Sequence, residues 1–374
     1  MVPVGADSGL IVTVWLSGEN EALARAELAG AVERLGGHSL ELPESPSGPG
    51  RGTVELPDTS AAVELSKRLA LAHRCAERWA ETGLPAIEAR LKTVGKSGSS
   101  AALQWVSGSR GYRPPDLVRR LGAMYRSAGG RIALEHPDHR FWLEPSDAGG
   151  IVLYEEIARV DRASFSLRRT PRLPFQRPVT LPPRLARALV NLARVGPGDR
   201  VVDPFVGTGS LLVEAALLGA HTVGIDASAA MIRGALDNFA FLGVAPEKLR
   251  QADVAEASAE FGPASFDALV TDPPYGRASG TGGEAPAQLW SRALLAWTDR
   301  VRPGGRLGII VPAGVPLADL DAQLELVIPQ RVHRSLTREF RVYVRGDSPP
   351  GLSTPAHSGE KRDLSPPRCN TARP

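Results

Sequence analysis

Val201-Val202-Asp203-Pro204-Phe205-Val206-Gly207-Thr208-Gly209 joins an apolar run to an amphipathic one, the pattern of a buried strand turning into a helix. In a doubly wound sheet a ligand lies at this first turn, and glycines let the backbone approach it closely. Asp203 stands four residues before the first glycine, which suits a ligand with a cationic, amine-bearing part and no pyrophosphate. A nicotinamide dinucleotide fingerprint needs Gly or Ala at its third position, where this chain has Leu212. A P-loop is excluded as well, because Gly95-Lys96-Ser97 has Arg90 where the first glycine belongs. Asp226 closes the next apolar run, Thr222–Ile225. At the carboxyl end of a neighbouring strand its carboxylate can accept both hydroxyls of a ribose. Asp253, in Gln251-Ala252-Asp253-Val254, follows a third strand and can accept from an adenine amino group.

The fourth acid is the most specific. Asp272-Pro273-Pro274-Tyr275 closes the apolar strand Ala268-Leu269-Val270. The residue before a proline is held extended, and each proline fixes φ and removes an N–H donor. The resulting rigid turn offers a carboxylate and carbonyl oxygens but few donors, with an aromatic ring beside them. It can accept two hydrogen bonds from a planar amino group while Tyr275 stacks on the base that carries it. The lone pair of a nucleobase amino nitrogen is delocalised into the ring. Hydrogen bonds to Asp272 and the Pro273 carbonyl can draw it out of conjugation and aim it at an electrophilic methyl, a reaction that depends on positioning and electrostatics.

The elements that must position these acids are legible around them. From Arg200 onward strands and helices alternate: 200–202, 210–218, 222–225, 228–242, 267–271, 288–301 and 306–311. This predicts a mostly parallel sheet with helices on both faces. Two further strands, 325–333 and 339–345, should pair antiparallel. Upstream, 11–16 and 54–56 read as strands. Helical spacing covers Ala24, Leu28, Val32 and Leu35, and a second helix is expected over 60–73. PESPSGPGRG (43–52) is a loop by composition. In a second small α+β unit, Asp116–Ala128 is helical and 132–134, 140–143 and 151–153 are strands. Five prolines in residues 168–183 mark a linker. Pro182-Pro183 then opens a helix that Gly196 is expected to end. The domains expected are therefore 1–83, 84–166, the linker 167–183, 184–345, and a Pro/Ser/Gly-rich, disordered tail 346–374.

Composition narrows the class. The chain has 374 residues, 43% of them apolar, with two cysteines, Cys75 and Cys369. These exclude wholesale disorder, a disulfide framework and a four-thiolate zinc site. No apolar stretch approaches a membrane span, and the first residues lack a basic region and a cleavage site, so a soluble, cytoplasmic protein is expected. Between Leu84 and Arg200 there are 20 basic and 10 acidic residues, against 24 and 31 elsewhere. A basic middle of this kind suggests a polyanion as partner. His136 and His139 have no carboxylate or cysteine cluster with them, so no metal is expected. Trp105, Trp142, Trp290 and Trp297 read as core residues.

D-P-F-x-G-T-G followed by D-P-P-Y-G resembles the class I S-adenosylmethionine-dependent methyltransferases of amino nitrogens. The wider resemblance is to the THUMP-containing tRNA guanine N2-methyltransferases, in particular those acting on guanosine 10. It takes in Ser17-Gly18-Glu19-Asn20, the Leu-Pro-Phe and Pro-Arg-Leu-Ala-Arg-Ala-Leu-Val-Asn-Leu within 173–192, and Val332-His333-Arg334-Ser335-Leu336-Thr337, so it spans residues 10–345. The resemblance implies a C-terminal Rossmann-like α/β sheet, mostly parallel with an antiparallel last strand, behind α+β ferredoxin-like and THUMP-like domains. It implies S-adenosylmethionine as cofactor. Asp203, Gly207 and Gly209 would hold its methionine part, Asp226 its ribose and Asp253 its adenine, with Pro204, Phe205, Thr208, Ala227 and Val254 also cofactor-binding. Asp272, Pro273, Pro274 and Tyr275 would be the catalytic turn. The partner implied is tRNA, bound by the THUMP domain at its acceptor end, with the target base leaving its stack. Eukaryotic relatives use a small activating subunit and archaeal ones act alone. Other tRNA or ribosomal RNA guanines, or DNA amino groups, are the alternative substrates. Phe175-Gln176-Arg177-Pro178 departs from the His-Pro pair the family often shows there, and the glycine-rich 276–287 could form a lid.

Overall fold

The computed structural model describes residues 9–40, 50–79, 83–107, 112–145, 150–178, 180–275 and 284–347. Residues 43–49 of the expected loop, 276–283 of the glycine-rich segment and 348–374 of the tail lie outside them; residues 51–52 belong to a strand and 286–287 to a helix. The described chain builds two sheets. The first contains β1 (Leu10–Leu16), β2 (His38–Leu40), β3 (Arg51–Leu56), β4 (Ala72–Trp79), β5 (Ser100–Trp105), β6 (Arg131–Ile132), β7 (His139–Pro145) and β8 (Ile151–Arg159). Its order is β2-β3-β1-β4-β8-β7-β5-β6, so the expected division at 83/84 falls within one continuous sheet, joined where β4 pairs antiparallel with β8. Helices α1 (Glu21–Arg34), α2 (Thr59–Arg68), α3 (Gly83–Gly95), α4 (Leu117–Ser127) and the short α5 (Arg162–Leu167) accompany it.

The second sheet follows α6 (Pro183–Leu192). It comprises β9 (Arg200–Asp203), β10 (His221–Asp226), β11 (Lys248–Gln251), β12 (Phe266–Thr271), β13 (Val301–Pro312), β14 (Ala322–His333) and β15 (Leu336–Arg345), with α7 (Ser210–Ala216), α8 (Ala229–Phe241) and α9 (Pro286–Thr298). The order is β11-β10-β9-β12-β13-β15-β14. The first five are parallel, and β15 runs antiparallel between β13 and β14. Consecutive residues of β9 face opposite layers: Val201 packs with α6 and α7, Val202 with the layer of α9. Strands buried on both faces read as unbroken apolar runs, which is why this half was legible.

Three expectations upstream are corrected. The second helix ends at Arg68, not at residue 73, and residues 72–79 are the strand β4. A register shift between Cys75 and Ala76 breaks its alternation, so a period-two signal was absent. Neither α3 nor β5 was anticipated, although Ile87 and Leu91 recur at helical spacing and are both buried. The helix from Pro183 stops at Leu192, ahead of Gly196, because Arg194 takes a left-handed φ of 55° while Val195 donates back to Val190.

A single apolar core runs from Val12 and Leu23 through Leu189 to Val201 and Leu212, crossing between the two sheets. At the crossing lies a buried polar cluster. Glu27 of α1 accepts from the amides of Ala70 and Leu71, both at 2.8 Å, and from the Asn191 side chain at 2.9 Å. Asn191 also donates to the Arg68 carbonyl at 3.0 Å. Burial raises the Glu27 pKa against these bonds. Buried donors that lose their acceptor carry the desolvation cost of burial unpaid. Glu27→Ala should lower unfolding stability by about 2–4 kcal/mol, and Glu27→Gln, which keeps one acceptor, by less; denaturant melts of both variants measure this.

Candidate active site

The three acids read from the sequence stand at the carboxyl ends of adjacent parallel strands: Asp203 ends β9, Asp226 ends β10 and Asp253 lies just beyond β11. This is the edge at which open α/β sheets bind ligands. Gly207 and Gly209 both take left-handed backbone, φ 52° and 87°. A side chain at 209 would in addition bring its Cβ within 3.1 Å of the Phe239 ring. Only glycine satisfies both conditions and keeps the turn open. Asp226 caps this turn and its own: its two oxygens accept from the amides of Gly207 at 3.0 Å and Ser228 at 2.8 Å. Each oxygen keeps a second lone pair for an outside donor. Pro204 and half-buried Phe205 continue from Asp203, Thr208 is buried, and the Ala227 carbonyl accepts from Gln251.

Asp203 is almost fully buried. One of its oxygens accepts from the Phe205 amide at 2.9 Å and from the Thr271 hydroxyl at 2.7 Å. Burial pushes its pKa up to about 7; these bonds oppose the shift, and the nearby carboxylates of Asp272 and Asp226 add to it. Thr271 precedes Asp272, so this bond fastens the first acid to the fourth.

At the Asp272 turn, the Tyr275 hydroxyl donates to Asp272 Oδ1 at 2.5 Å. Its ring stands edge-on to Trp290, centroids 6.1 Å apart. The tyrosine therefore braces the carboxylate here, where the sequence suggested a ring standing open for stacking. Trp290 donates to the Pro274 carbonyl at 2.9 Å, leaving the Pro273 carbonyl without a donor from the described residues. Asp272 Oδ2 faces Arg338 of β15, 3.9 Å away, and Arg338 is itself held by Gln330 at 3.0 Å. Burial raises the Asp272 pKa to about 6; the Tyr275 bond and the Arg338 charge oppose the rise. Burial and the neighbouring carboxylate push the Tyr275 hydroxyl up.

Asp253 stands apart from this cluster. Arg292 of α9 donates to its Oδ1 at 2.7 Å, and the Ala255 amide does so at 2.9 Å. The bond to Arg292 lowers its pKa. The Val254 carbonyl is held by Trp297 at 2.6 Å. Thr271, Trp290, Arg292 and Arg338 were not singled out for the site by sequence reasoning. Trp290 and Trp297 are core residues as read, and each also fixes a carbonyl beside an acid.

The linker lies over this end of the sheet. Asn238 of α8 accepts from the Phe175 amide at 3.0 Å, and donates to the Phe175 and Thr208 carbonyls at 3.1 and 3.0 Å. The Phe175 ring occupies the space a side chain at Gly234 would take. Among the described residues no cluster of three His, Cys, Asp or Glu is grouped to hold a metal, and no helix is long and apolar enough to cross a membrane.

The sheet order, the glycine turn and the acids at the strand ends define a methyltransferase, and the family model for the RMKL-like methyltransferase domain, UPF0020, matches residues 170–338. The chain is 29% identical over 344 residues to the tRNA (guanine(10)-N2)-dimethyltransferase of Methanothermobacter thermautotrophicus, covering 89% of this chain and 98% of that one. To the enzyme of the same name from Pyrococcus abyssi it is 33% identical, over 61% of this chain and 68% of that one. The tRNA (guanine(6)-N2)-methyltransferase of Thermus thermophilus is 29% identical over 54% of this chain and 59% of its own length. The chain belongs to the tRNA (guanine(10)-N2)-dimethyltransferase family.

A buried acid whose pKa is raised on folding holds its proton longer when folded than when unfolded. Its contribution is fully present below the unfolded value near 3.8 and is lost as pH rises through about 7 for Asp203. Asp203→Asn keeps the acceptor and removes the charge. It should raise stability at pH 8 by on the order of 2 kcal/mol and flatten the pH dependence between about 4 and 7, read from thermal melts across pH.

Proposed function

We propose that this chain methylates the exocyclic N2 of a guanosine in tRNA, with S-adenosylmethionine as donor and position 10 as the target. The observation that carries the reading is the Asp272 carboxylate, half-buried just beyond β12, braced by Tyr275 and tied through Thr271 to Asp203. The groups beside it fit the cofactor. Asp203 matches a cationic amine, the Gly207–Gly209 turn leaves backbone room beside it, and Asp226 has lone pairs left for a ribose diol. Asp253 Oδ2, with no partner among the described residues, is open to an adenine amino group. Pro204, Phe205, Thr208, Ala227 and Val254 line the same strand ends. When bound, S-adenosylmethionine supplies the electrophilic methyl.

The chain's own residues do the rest. Asp272 and the Pro273 carbonyl accept from the amino group of the flipped guanine and turn its lone pair out of the ring. Tyr275 and Arg338 hold the carboxylate in place and in charge, and Asp272 is poised to take the proton the nitrogen sheds. Residues 1–83 and 84–166, as ferredoxin-like and THUMP-like parts of the first sheet, position the tRNA. The likeness to an enzyme named for guanine 6 makes that position the second reading.

The deciding experiment incubates purified chain alone with labelled S-adenosylmethionine and unmodified tRNA transcript, then maps the product nucleoside by mass spectrometry. Labelled N2-methyl- or N2,N2-dimethylguanosine at position 10 is the expected result. No label under any condition, with cofactor bound, would sink the substrate assignment or reveal a missing subunit, which adding the eukaryotic-type partner distinguishes. Asp272→Ala should lower the rate by about 10²-fold or more with tRNA affinity kept.

The pH profile tests the same carboxylate. It is faced by Tyr275 from its own turn, Arg338 from β15 and Asp203 from β9. The rate should fall as pH drops through about 6, where Asp272 takes up a proton. Arg338→Gln should move that limb up by about one pH unit, and Arg338→Lys should restore it.

A further inference from the structure

The positive charge of this chain is concentrated from α5 through the linker to the end of α6, not in the α+β unit that precedes it. Residues 84–161 carry 11 basic and nine acidic side chains, close to balance. Residues 162–198 carry eight arginines and no acid at all. A run of that kind must either find its counter-ions elsewhere in the fold or present its charge to something outside.

Five of the eight find them inside. Arg162 lies 3.6 Å from Glu19 and reaches His73. Arg168 and Arg187 share buried Glu214, at 2.7 and 2.8 Å. Arg184 bonds Glu19 at 2.7 Å, and Arg194 bridges Glu33 at 2.5 Å and Glu325 at 2.9 Å. These pairs fasten the linker and α6 to both sheets.

Arg169, Arg172 and Arg177 do otherwise. All three are exposed, and none forms an ion pair with a described residue. Glu19 feels Arg169 only at longer range, and the Arg177 guanidinium lies over the Phe175 ring, 5.0 Å from its centroid. The segment that carries them is fixed on the catalytic domain: Phe175 is held by Asn238, and Thr180 lies 3.3 Å from Thr208 in the glycine turn. Three guanidiniums without an ion pair among the described residues therefore stand on a segment that is anchored to α8 and to the glycine turn at Phe175 and Thr180. Guanidinium offers paired N–H donors that match phosphate oxygens.

We propose that Arg169, Arg172 and Arg177 form a phosphate-binding stripe that holds the RNA backbone of the substrate against the mouth of the methyltransferase site. This rests on the reading of tRNA as substrate. It makes the linker, and not only the α+β half, a surface that holds the nucleic acid.

The test is equilibrium binding of tRNA transcript, by filter retention, across a salt series. It compares wild type, a triple variant R169Q/R172Q/R177Q, the triple lysine variant at the same positions, and R119Q/R120Q/R126Q on α4 as a comparison surface. The glutamine triple should lose about two to three units from the slope of log affinity against log salt. It should also lose roughly tenfold in affinity near 0.1 M salt. The lysine triple should keep the slope. Calorimetric binding of S-adenosylmethionine should match wild type in each linker variant.

An unchanged slope in the glutamine triple, or a change confined to the α4 variant, would overturn the stripe while leaving tRNA as substrate. Equal loss of cofactor binding in the glutamine and lysine triples would show that these side chains only hold the linker, and would overturn it too. If wild-type protein does not bind tRNA at low salt, the substrate reading falls and takes the stripe with it.

Discussion

The hydrogen bond from the Thr271 hydroxyl to Asp203, 2.7 Å long and fully buried, is the contact on which the site depends. It crosses between two central strands, β9 and β12, whose register sets Ala268 against Val201 and Leu269 against Val202. That register brings the acid of the glycine turn and the acid of the Asp-Pro-Pro-Tyr turn to the same edge. Loss of hydration pushes both carboxylates toward neutrality, and the charge of Asp272 adds to the shift of Asp203. The Tyr275 hydroxyl and the Arg338 charge at Asp272, and the Thr271 hydroxyl and Phe205 amide at Asp203, act against that cost. Such a cluster is stable only because the sheet on either side is tightly packed, and it is the kind of locally unfavourable arrangement that function requires and the rest of the fold supports.

A second constraint comes from α6. It is buried on nearly every side, packed against α1 of the first sheet and against β13 of the second. A helix so placed cannot keep charged or polar side chains unless they are partnered, and Glu214 pairs with Arg187 while Glu27 accepts from Asn191. The two sheets thus share a core and a polar cluster and are not simply tethered. The linker that joins them lies across the glycine turn instead of looping into solvent.

The charge distribution illustrates what composition alone can and cannot convey. A basic stretch between residues 84 and 200 is real, yet five of the eight arginines between 162 and 198 are paired with internal glutamates. Within residues 162–198 what is left without an internal ion pair is a remainder of three. Counting charges along a chain measures supply; only the fold determines how much is neutralised within it.

The sequence by itself determined the parallel sheet, the four acids and their order, and the rigid proline turn. Each of these is local: an apolar run buried on both faces, a glycine demanded by left-handed φ, a proline that fixes its neighbour. Tertiary structure alone decided which groups answer those acids. Thr271 lies 68 residues from Asp203, Arg292 lies 39 from Asp253, and Arg338 reaches Asp272 from the antiparallel β15. Nothing in the local pattern marks a threonine or an arginine as the partner of a distant carboxylate. It also decided that the first half is one sheet, since β4 meets β8 through a bulge that erases the alternation a strand would otherwise display. Local sequence sets periodicity and turn; the pairing of buried polar groups is set by which strands become neighbours, and that is known only when the chain has closed.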